Sequence, residues 1–353
     1  MDKSKVIEVD GRLLEGGGQI LRTSLALSAL TGKPLQIKNI RASRPKPGLR
    51  PQHLASVETI ASISTAELRG AFLGSKELSF APKQISSANL NVNIGTAGSI
   101  SLLLQQALPA ALPRAVKIHV SGGTNVPFSP PMEFLQYVLF PSLRKMRAKF
   151  EAKIVRRGYF PKGNGSASFS SKPAKLPLKP ITLTNFGEIE FVKIFSHCAS
   201  LPKKVAENQA SSARHALQKL GLEFEGKPEC MDRASTTGSG ITLLAYSTTG
   251  AVLSGSALGK KELPAEHVGR EAAEKLMREL TPQKPCDSYL ADQLIPFMAL
   301  AKGKSEIHTG FLTRHCQTNI SIVEKFLPAK FEVRGRLGKP AEISVEGVSF
   351  SGK

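Results

Sequence analysis

The sequence is poor in cysteine, has no tryptophan, and contains no apolar run long enough to cross a bilayer. Its cysteines are scattered without a CxxC pair, at positions 198, 230, 286 and 316. This spacing argues against a thiolate zinc site and a disulfide framework, and it favours the reduced thiols of a cytoplasmic protein. The first residues, MDKSKVIEVDGR, are charged and then strand-like, which is not the pattern of a signal peptide. We therefore expect a cytoplasmic location and no membrane partner.

Acidic residues are few relative to basic ones. Lysine and arginine number 48 against 28 aspartate and glutamate residues, which gives a net charge of +20. Such a charge attracts polyanions, so nucleic acid or a nucleotide is the first candidate partner, with general solubility as the alternative. Aromatic residues make up only 6% of the chain, so the composition indicates no base-stacking platform.

Three segments of the sequence resemble one another. Each passes from a turn of small or polar residues into an apolar helix, and then through a glycine or proline break into a strand. The turns lie near Gly17, Ala97 and Ala291. This self-similarity predicts a repeated α/β unit in an α+β fold.

The third of these segments comes late in the chain, after a long interruption. Between proline-rich flanks the pattern predicts a strand, a helix, two strands and a second helix. The second helix carries an apolar stripe of Val268, Ala272, Leu276 and Leu280. We therefore expect a discontinuous domain of residues 1–184 and 282–353, interrupted by a small α/β domain of residues 185–281.

Two turns of small residues lead directly into apolar helices. In EGGGQILR, residues 15–22, the glycines allow an anion to approach the free N–H groups of a helix start. The alternative is a tight turn that needs positive φ, and the residues alone leave both open. There is no GxxxxGK[ST] pattern, so this is not a Walker loop. IGTAGSI, residues 94–100, repeats the same arrangement.

A loop broken by proline and glycine, IRASRPKPGLRPQH, concentrates positive charge. It contains Arg41, Arg44, Lys46, Arg50 and His53. Guanidinium groups in such a loop can form paired hydrogen bonds with phosphates, and a solvated basic loop is the alternative.

The segment LTRHCQTNI contains His315, for which three roles are open: buried packing residue, metal ligand or nucleophile. His267 and His308 have no partner at metal-ligand spacing. His119 and His197 lie in strand patterns, where we expect them in the core or at a sheet edge.

Several motifs in order, taken together, resemble the RNA 3'-terminal phosphate cyclase family over nearly the whole chain. They are DGRLLEGGGQILR, IRASRPKPGLRPQHL, NIGTAGSISLLLQQALPA, VSGGTNVPFSPP, RRGYFPKGNG, YLADQLIPFMALA and TRHCQTNISIVEKFL. The resemblance implies a threefold repeat of an α/β unit with an inserted small α/β domain of thioredoxin-like topology. It also implies ATP-dependent conversion of an RNA 3'-phosphate to a 2',3'-cyclic phosphate, through AMP bound covalently to His315 and then an RNA-adenylate.

The same resemblance implies the supporting residues. Glu15 would bind a divalent metal, Mg²⁺ or Mn²⁺, while Arg22, Arg41 and Arg44 would contact phosphates of ATP or RNA. The adenylate pocket would be lined by Gln105, Tyr289, Leu290, Ala291, Asp292 and Gln293. Cys316 is expected to matter much less than His315, because adjacent side chains on a strand point to opposite faces.

The resemblance also supplies the alternatives. The family has cyclase-like members that act as non-catalytic ribosome-assembly factors and lack the histidine nucleophile. Since His315 is present, we favour the catalytic branch, with ATP and RNA bearing a 3'-phosphate as partners. A general RNA-binding scaffold is a third hypothesis, and both a monomer and a homodimer are compatible with the sequence.

Overall fold

The structure is a computed structural model that describes residues 6–231 and 234–352. Within these ranges every sheet contains both parallel and antiparallel strand pairs, and helices connect many of the strands. This mixed architecture agrees with the predicted α+β class. A search of the same ranges found no helix with the length and apolar character needed to cross a membrane.

The first unit of the fold carries the glycine-rich turn between its first strand and first helix. Its elements are β1 (Ile7–Asp10), α1 (Gly18–Thr31), β2 (Leu35–Lys38), α2 (Pro51–Ser64), β3 (Glu67–Arg69) and β4 (Leu78–Ala81). The strands pair in the order β1-β2-β4-β3, with β1 parallel to β2 and the other pairs antiparallel. Helix α1 ends where Gly32 takes the left-handed conformation, with φ 70°, and donates its N–H to the Ser28 carbonyl.

The second unit has the same sequence of pairings. Its elements are β5 (Ala88–Asn93), α3 (Ile100–Ala110), β6 (Val116–Gly122), α4 (Met132–Phe134), α5 (Phe140–Lys145), β7 (Lys149–Arg156) and β8 (Gly165–Lys172). A π-helical turn, Leu135–Leu139, joins α4 to α5. The strands pair in the order β5-β6-β8-β7, again with only the first pair parallel.

Strand β9 (Thr182–Leu183) is followed by a five-stranded sheet that is separate from the others. The elements of this segment are β10 (Ile189–Ala199), α6 (Lys204–Leu217), β11 (Glu223–Glu225), β12 (Glu229–Met231), β13 (Gly238–Ser247), β14 (Val252–Leu258) and α7 (Ala265–Leu280). The predicted strand, helix, two strands and helix are confirmed as β10, α6, β13, β14 and α7. The short strands β11 and β12 were not predicted, because three residues are too few to show a period of two.

The third unit is completed after this segment. It contains α8 (Ser288–Leu300), β15 (Lys302–Thr309), α9 (Arg314–Phe326), β16 (Phe331–Gly335) and β17 (Ala341–Val348). Strand β9 pairs in parallel with β15, and β15-β17-β16 are antiparallel neighbours. This sheet therefore has the pairing pattern of the first two. Its first strand, β9, precedes residues 184–281 in the chain, and its other three strands follow them.

Buried apolar side chains of the described residues form two clusters. The larger draws on all three units, and the smaller lies within residues 186–280. The predicted stripe of α7 is confirmed, because all four of its residues belong to the smaller cluster. His197 is buried on β10, as expected. His119 is exposed on β6, which is paired on both sides, so placing it in the core or at an edge was wrong: strand alternation turns it to solvent.

Candidate active site

His315 lies in the first turn of helix α9 and is half exposed, with 49% of its side chain accessible. Thr313 caps the helix, since its hydroxyl accepts a hydrogen bond of 2.9 Å from the Cys316 N–H. The expectation that His315 and Cys316 lie on a strand was wrong. Cys316 is nevertheless buried, because successive residues on a helix point in different directions. The exposure of His315 excludes the role of a buried packing residue.

Glu15 is the direct partner of His315. Its Oε2 atom lies 3.2 Å from Nδ1 of the imidazole, and its carboxylate is almost fully shielded from solvent. The hydrogen bond with Glu15 raises the pKa of His315 above its ordinary value, while burial opposes that shift. In the neutral ring that donates from Nδ1, the lone pair is on Nε2. The contact thus leaves Nε2 available as the nucleophilic atom.

The three glycines after Glu15 let other side chains approach the start of α1. Gly16 has φ 57°, and a Cβ there would collide with the hydroxyl of Ser43. A Cβ on Gly17 would meet Nη2 of Arg44 at 2.5 Å, and one on Gly18 would meet Nε2 of His53 at 2.8 Å. The tight-turn interpretation is therefore confirmed at Gly16, and at the other two positions glycine allows side chains to approach the backbone closely. Binding of an anion at this helix start stays a prediction.

Two of the three predicted phosphate-binding arginines lie beside this turn. Arg44 Nη2 is 3.3 Å from Glu15 Oε2. Arg22 donates to the side-chain oxygen of Gln19 at 2.7 Å, and burial lowers its pKa to about 10, so it is still charged at neutral pH. Arg41 instead donates to the carbonyls of Lys46 at 2.7 Å and Gly48 at 3.0 Å, which shapes its own loop.

His53 is a site residue that the sequence argument named only as part of a basic loop. Its Nδ1 atom accepts a hydrogen bond of 3.4 Å from the Arg50 N–H at the start of α2. Burial, and then the charges of Arg22 and Arg41, lower the pKa of His53 to about 3. His53 is therefore a neutral side chain among cations. It lies in the first turn of α2, a helix that the sequence analysis did not predict.

A pocket opens between helices α1, α3, α8 and α9, with a cavity volume of about 30 Å³. Four of the predicted site residues line it: Arg22, Gln105, Asp292 and Gln293. Leu290 and Ala291 do not; they are buried in the larger apolar cluster, on another face of α8. Tyr289 is 53% exposed and packs edge-on against Phe134, with ring centroids 6.3 Å apart. A cavity of this size holds about one water molecule, so a base must bind at its mouth or displace side chains.

Several amide groups of the pocket have unmet hydrogen-bonding capacity. Among the described residues, buried side-chain atoms without a hydrogen-bond partner include Oε1 of Gln105, both polar atoms of Gln106 and Oε1 of Gln293. Buried amides are normally paired, so such a group of unpaired atoms in one pocket is a candidate recognition surface for a polar ligand.

A hydrogen-bond network fixes the wall of the pocket nearest His315. Asn319 donates to the Asp292 carbonyl at 2.6 Å and accepts from the Thr23 hydroxyl at 2.7 Å. The Thr313 hydroxyl donates to the Asp292 carboxylate. Burial raises the pKa of Asp292 to about 7, and the hydrogen bond from Thr313 opposes that rise. Helices α1, α8 and α9 are thus joined by hydrogen bonds that centre on Asp292 and Asn319.

The described residues contain no group of three or more histidine, cysteine, aspartate or glutamate side chains that could hold a metal ion by themselves. Mg²⁺, however, is commonly bound by one or two carboxylates together with waters and substrate phosphates. Glu15 and Asp292 both act electrostatically on His315, so two carboxylates flank the candidate nucleophile. This donor set fits a divalent ion that is completed by phosphate oxygens.

Comparison with known proteins gives one consistent result. A model of the RNA 3'-terminal phosphate cyclase family matches residues 13–333. The RNA 3'-terminal phosphate cyclase of Ignicoccus hospitalis is 44% identical over 358 residues, which cover 98% of this chain and 99% of that protein. The proteins of the same name from Pyrobaculum neutrophilum and Pyrococcus abyssi are each 45% identical, over 346 and 342 residues. They cover 98% and 96% of this chain, and 99% and 98% of their own lengths.

Proposed function

Because this chain belongs to the RNA 3'-terminal phosphate cyclase family, a family of enzymes, we propose that it converts an RNA 3'-phosphate into a 2',3'-cyclic phosphate with ATP. The observation that carries the proposal is the half-exposed His315, held through Nδ1 by Glu15 at the edge of a pocket with unpaired amides. The alternative, a non-catalytic ribosome-assembly factor, is not favoured. This chain has the histidine that such members lack, and its relatives are named as cyclases.

In the first step Nε2 of neutral His315 attacks the α-phosphorus of ATP. A P–N bond forms, the P–O bond to pyrophosphate breaks, and the imidazole gains positive charge. Glu15, 3.2 Å from Nδ1, stabilises that charge through its hydrogen bond. Arg22 and Arg44 lie beside the turn that leads into α1, where they can neutralise the phosphates.

In the second step an oxygen of the RNA 3'-phosphate attacks the phosphorus of the histidine-bound AMP. The P–N bond breaks, His315 is restored, and an RNA-adenylate is released from the imidazole. In the third step the neighbouring 2'-hydroxyl attacks the 3'-phosphorus, its proton is lost, and AMP leaves. Both steps depend mainly on position and charge neutralisation, which the arginines and the N-terminus of α1 supply.

We assign Glu15 as the main protein ligand of a divalent metal, Mg²⁺ or Mn²⁺, with Asp292 as the second carboxylate nearby. Such an ion, when bound, neutralises charge on phosphate oxygens. For the nucleotide we assign Gln105, Tyr289, Asp292 and Gln293 to the adenylate pocket. Leu290 and Ala291 are left out because they lie in the core.

At the level of architecture we propose that the three α/β units are repeats. The support is their common pairing pattern: one parallel pair followed by two antiparallel pairs in each four-stranded sheet. We further propose residues 185–281 as an inserted domain between 1–184 and 282–353, since a separate apolar cluster lies within it. Its strand order, β11-β10-β13-β14, is compatible with the expected thioredoxin-like topology. A cytoplasmic location stays a prediction, and the sequence leaves a monomer and a homodimer open.

The cyclase reaction has a direct assay. The protein is incubated with ATP, Mg²⁺ or Mn²⁺ and an oligoribonucleotide that bears a 3'-phosphate, and the end group is followed by resistance to phosphatase. We expect the end to become resistant and AMP to be released. An analogue with 2'-deoxyribose at its terminus should stop at the adenylate, with AMP still attached, and should form no cyclic phosphate because the internal nucleophile is missing. An RNA end that stays sensitive with both metals contradicts the proposal and favours the assembly-factor hypothesis.

A further inference from the structure

Two phenylalanines on neighbouring loops of the second unit are exposed to solvent. Phe128 lies between β6 and α4 and is fully accessible, and Phe160 lies between β7 and β8 and is 63% accessible. An exposed phenylalanine forgoes the roughly 1.5–3 kcal/mol that burial of such a side chain contributes. Neither ring is buried in the core. Since single exposed rings are common on protein surfaces, the backbone and the neighbours of these two carry the argument.

The backbone at Phe128 presents this ring at a conformational cost. Its φ of 62° lies in the left-handed region, which is uncommon for a bulky residue. Pro127 precedes it and Pro130 and Pro131 follow, so the loop has few alternatives. The Ser129 hydroxyl closes the turn by donating to the Val126 carbonyl at 2.9 Å. A strained, rigid loop that carries an exposed ring is typical of a binding element.

The two loops are joined to each other. The Thr124 N–H donates to the Gly158 carbonyl at 2.9 Å, and the Gly158 N–H donates to the Thr124 hydroxyl at 2.9 Å. Asn125 and Tyr159 form a parallel β-bridge next to this pair. Phe128 follows Asn125 by three residues and Phe160 follows Tyr159 directly, so the two exposed rings belong to loops that are joined by these contacts.

A buried polar network holds that surface in place. Arg157 Nη1 is 2.7 Å from Glu133 Oε1, and both side chains are nearly inaccessible to solvent. The Tyr159 hydroxyl is 2.7 Å from Nδ1 of His197 on β10. These contacts fix the loops against α4 and against the five-stranded sheet, so the platform is formed before any ligand binds.

The surface adjoins the candidate active site. The Ser101 hydroxyl donates to the Pro130 carbonyl at 2.6 Å, and Gln105, one turn later on α3, lines the pocket. Residues four apart on a helix lie on one face, about 6 Å apart. On the other side, a Cβ on Gly163 would meet the Cα of Ala97 at 2.8 Å, which places the second loop against the turn before α3. The loops thus border the pocket beside His315.

Charge selects the kind of ligand. Arg156 and Lys162 flank Phe160 and are exposed, and neither belongs to an ion pair among the described residues. A protein or lipid partner would favour a larger apolar area, whereas two isolated rings among unpaired cations suit a strand of bases and phosphates. Base stacking on aromatic side chains tolerates any sequence. The net charge of +20 points in the same direction.

We propose that Phe128 and Phe160 form a stacking platform for the last bases of the RNA strand that presents its 3'-phosphate to His315. The inference rests on the proposed function for the identity of the strand. It differs from the expectation from composition, because two exposed rings suffice for stacking where the aromatic content is low. The platform would hold the RNA by its bases while the arginines hold the terminal phosphate, which would make binding independent of sequence.

The test is a double-mutant cycle: one change removes a ring from the protein, and the other removes bases from the RNA. Binding of a 3'-phosphorylated single strand is measured by fluorescence anisotropy for the wild type, Phe128→Ala and Phe160→Ala, without ATP. The same variants are measured with a strand whose last two nucleotides lack bases but keep ribose and phosphate. We expect each alanine variant to bind the complete strand about 5- to 150-fold more weakly, and the abasic strand no more weakly than the wild type does. Phe128→Tyr should restore binding, since it keeps a ring.

The controls separate this inference from the proposed function. Phe72→Ala removes a ring that is 62% exposed on the turn between β3 and β4, and it should leave binding unchanged. Transfer of labelled AMP from α-labelled ATP to the protein, measured without RNA, should be the same in all these variants. An equal loss on complete and abasic strands, or no loss on either, overturns the platform. Because the readout is binding without ATP, a wild type that binds RNA but fails to cyclise it contradicts the proposed function alone.

Discussion

Thr313→Val should destabilise the protein by about 2.5–4 kcal/mol near neutral pH. Its hydroxyl makes two contacts at the start of α9: it accepts from the Cys316 N–H at 2.9 Å and donates to the buried carboxylate of Asp292. Loss of the cap costs about 1 kcal/mol. Loss of a hydrogen bond to a charged group costs about 1.5–3 kcal/mol. Valine keeps the shape of threonine, so no cavity is added.

The loss should depend on pH. Burial raises the pKa of Asp292 from 3.8 to about 7. The folded state therefore binds the proton of Asp292 more tightly than the unfolded state does, and protonation stabilises the fold. That contribution is fully present below pH 3.8 and is lost as the pH rises through about 7. Removing the Thr313 donor raises the pKa of Asp292 further, because the hydrogen bond favours the carboxylate. Urea unfolding should therefore show a larger difference between variant and wild type at pH 8 than at pH 5.

Thr313→Ser is the matched control. Serine keeps the hydroxyl and is as good a cap as threonine, so it should retain most of the stability at both pH values. The account is refuted if the serine and valine variants have the same free energy of unfolding at pH 8, or if the valine variant loses more at pH 5. Either result would mean that the hydroxyl does not compensate the buried carboxylate.

Three further outcomes follow from contacts in and around the site. In metal-free protein, Glu15→Gln should lower the pKa at which His315 titrates in NMR spectra, since the hydrogen bond with Glu15 is the main cause of its raised pKa. Arg44→Ala should make the slope of the logarithm of the RNA-binding constant against the logarithm of salt concentration shallower by about 0.7, the contribution of one phosphate contact on a single strand. If neither this slope nor the rate of cyclisation changes, Arg44 is only a surface residue. Arg157→Met should cost about 3–5 kcal/mol in urea unfolding because Glu133 stays buried without its partner, and a second change, Glu133→Gln, should recover part of that loss.

The sequence predicted the long periodic elements of the fold well and the short ones poorly. Helix α7 is long enough to show its period and β13 is a long apolar run, whereas β11 and β12 have three residues each. The pairing of β9 with β15 joins Leu183 to Ile307, which are 124 residues apart in the chain, and no local pattern encodes such a contact. The similarity of the three sheets is therefore clearer in the pairing of the strands than in the residues.

Some residues of the candidate site were predicted from the sequence, and others were missed. Glu15, Arg44 and His315 stand in recognisable motifs, and contacts join them in the structure. Asn319 and Thr313 were missed because their partners lie on other helices, at separations that sequence spacing does not show. Treating residues 289–293 as one pocket wall ignored that a helix turns consecutive side chains to different faces. The proposed aromatic platform has no signal in the composition, which counts rings without their exposure.

The identity of the nucleophile is the central claim, and a covalent label tests it most directly. The protein is incubated with α-labelled ATP and metal, without RNA, and the labelled peptide is mapped by mass spectrometry. We expect one AMP on His315, bound by an acid-labile, alkali-stable P–N bond. His315→Ala and His315→Asn should both abolish the label and cyclisation while leaving the protein folded, whereas Cys316→Ser should keep the label. A label on any other residue, or one that persists in His315→Ala, would falsify the assignment.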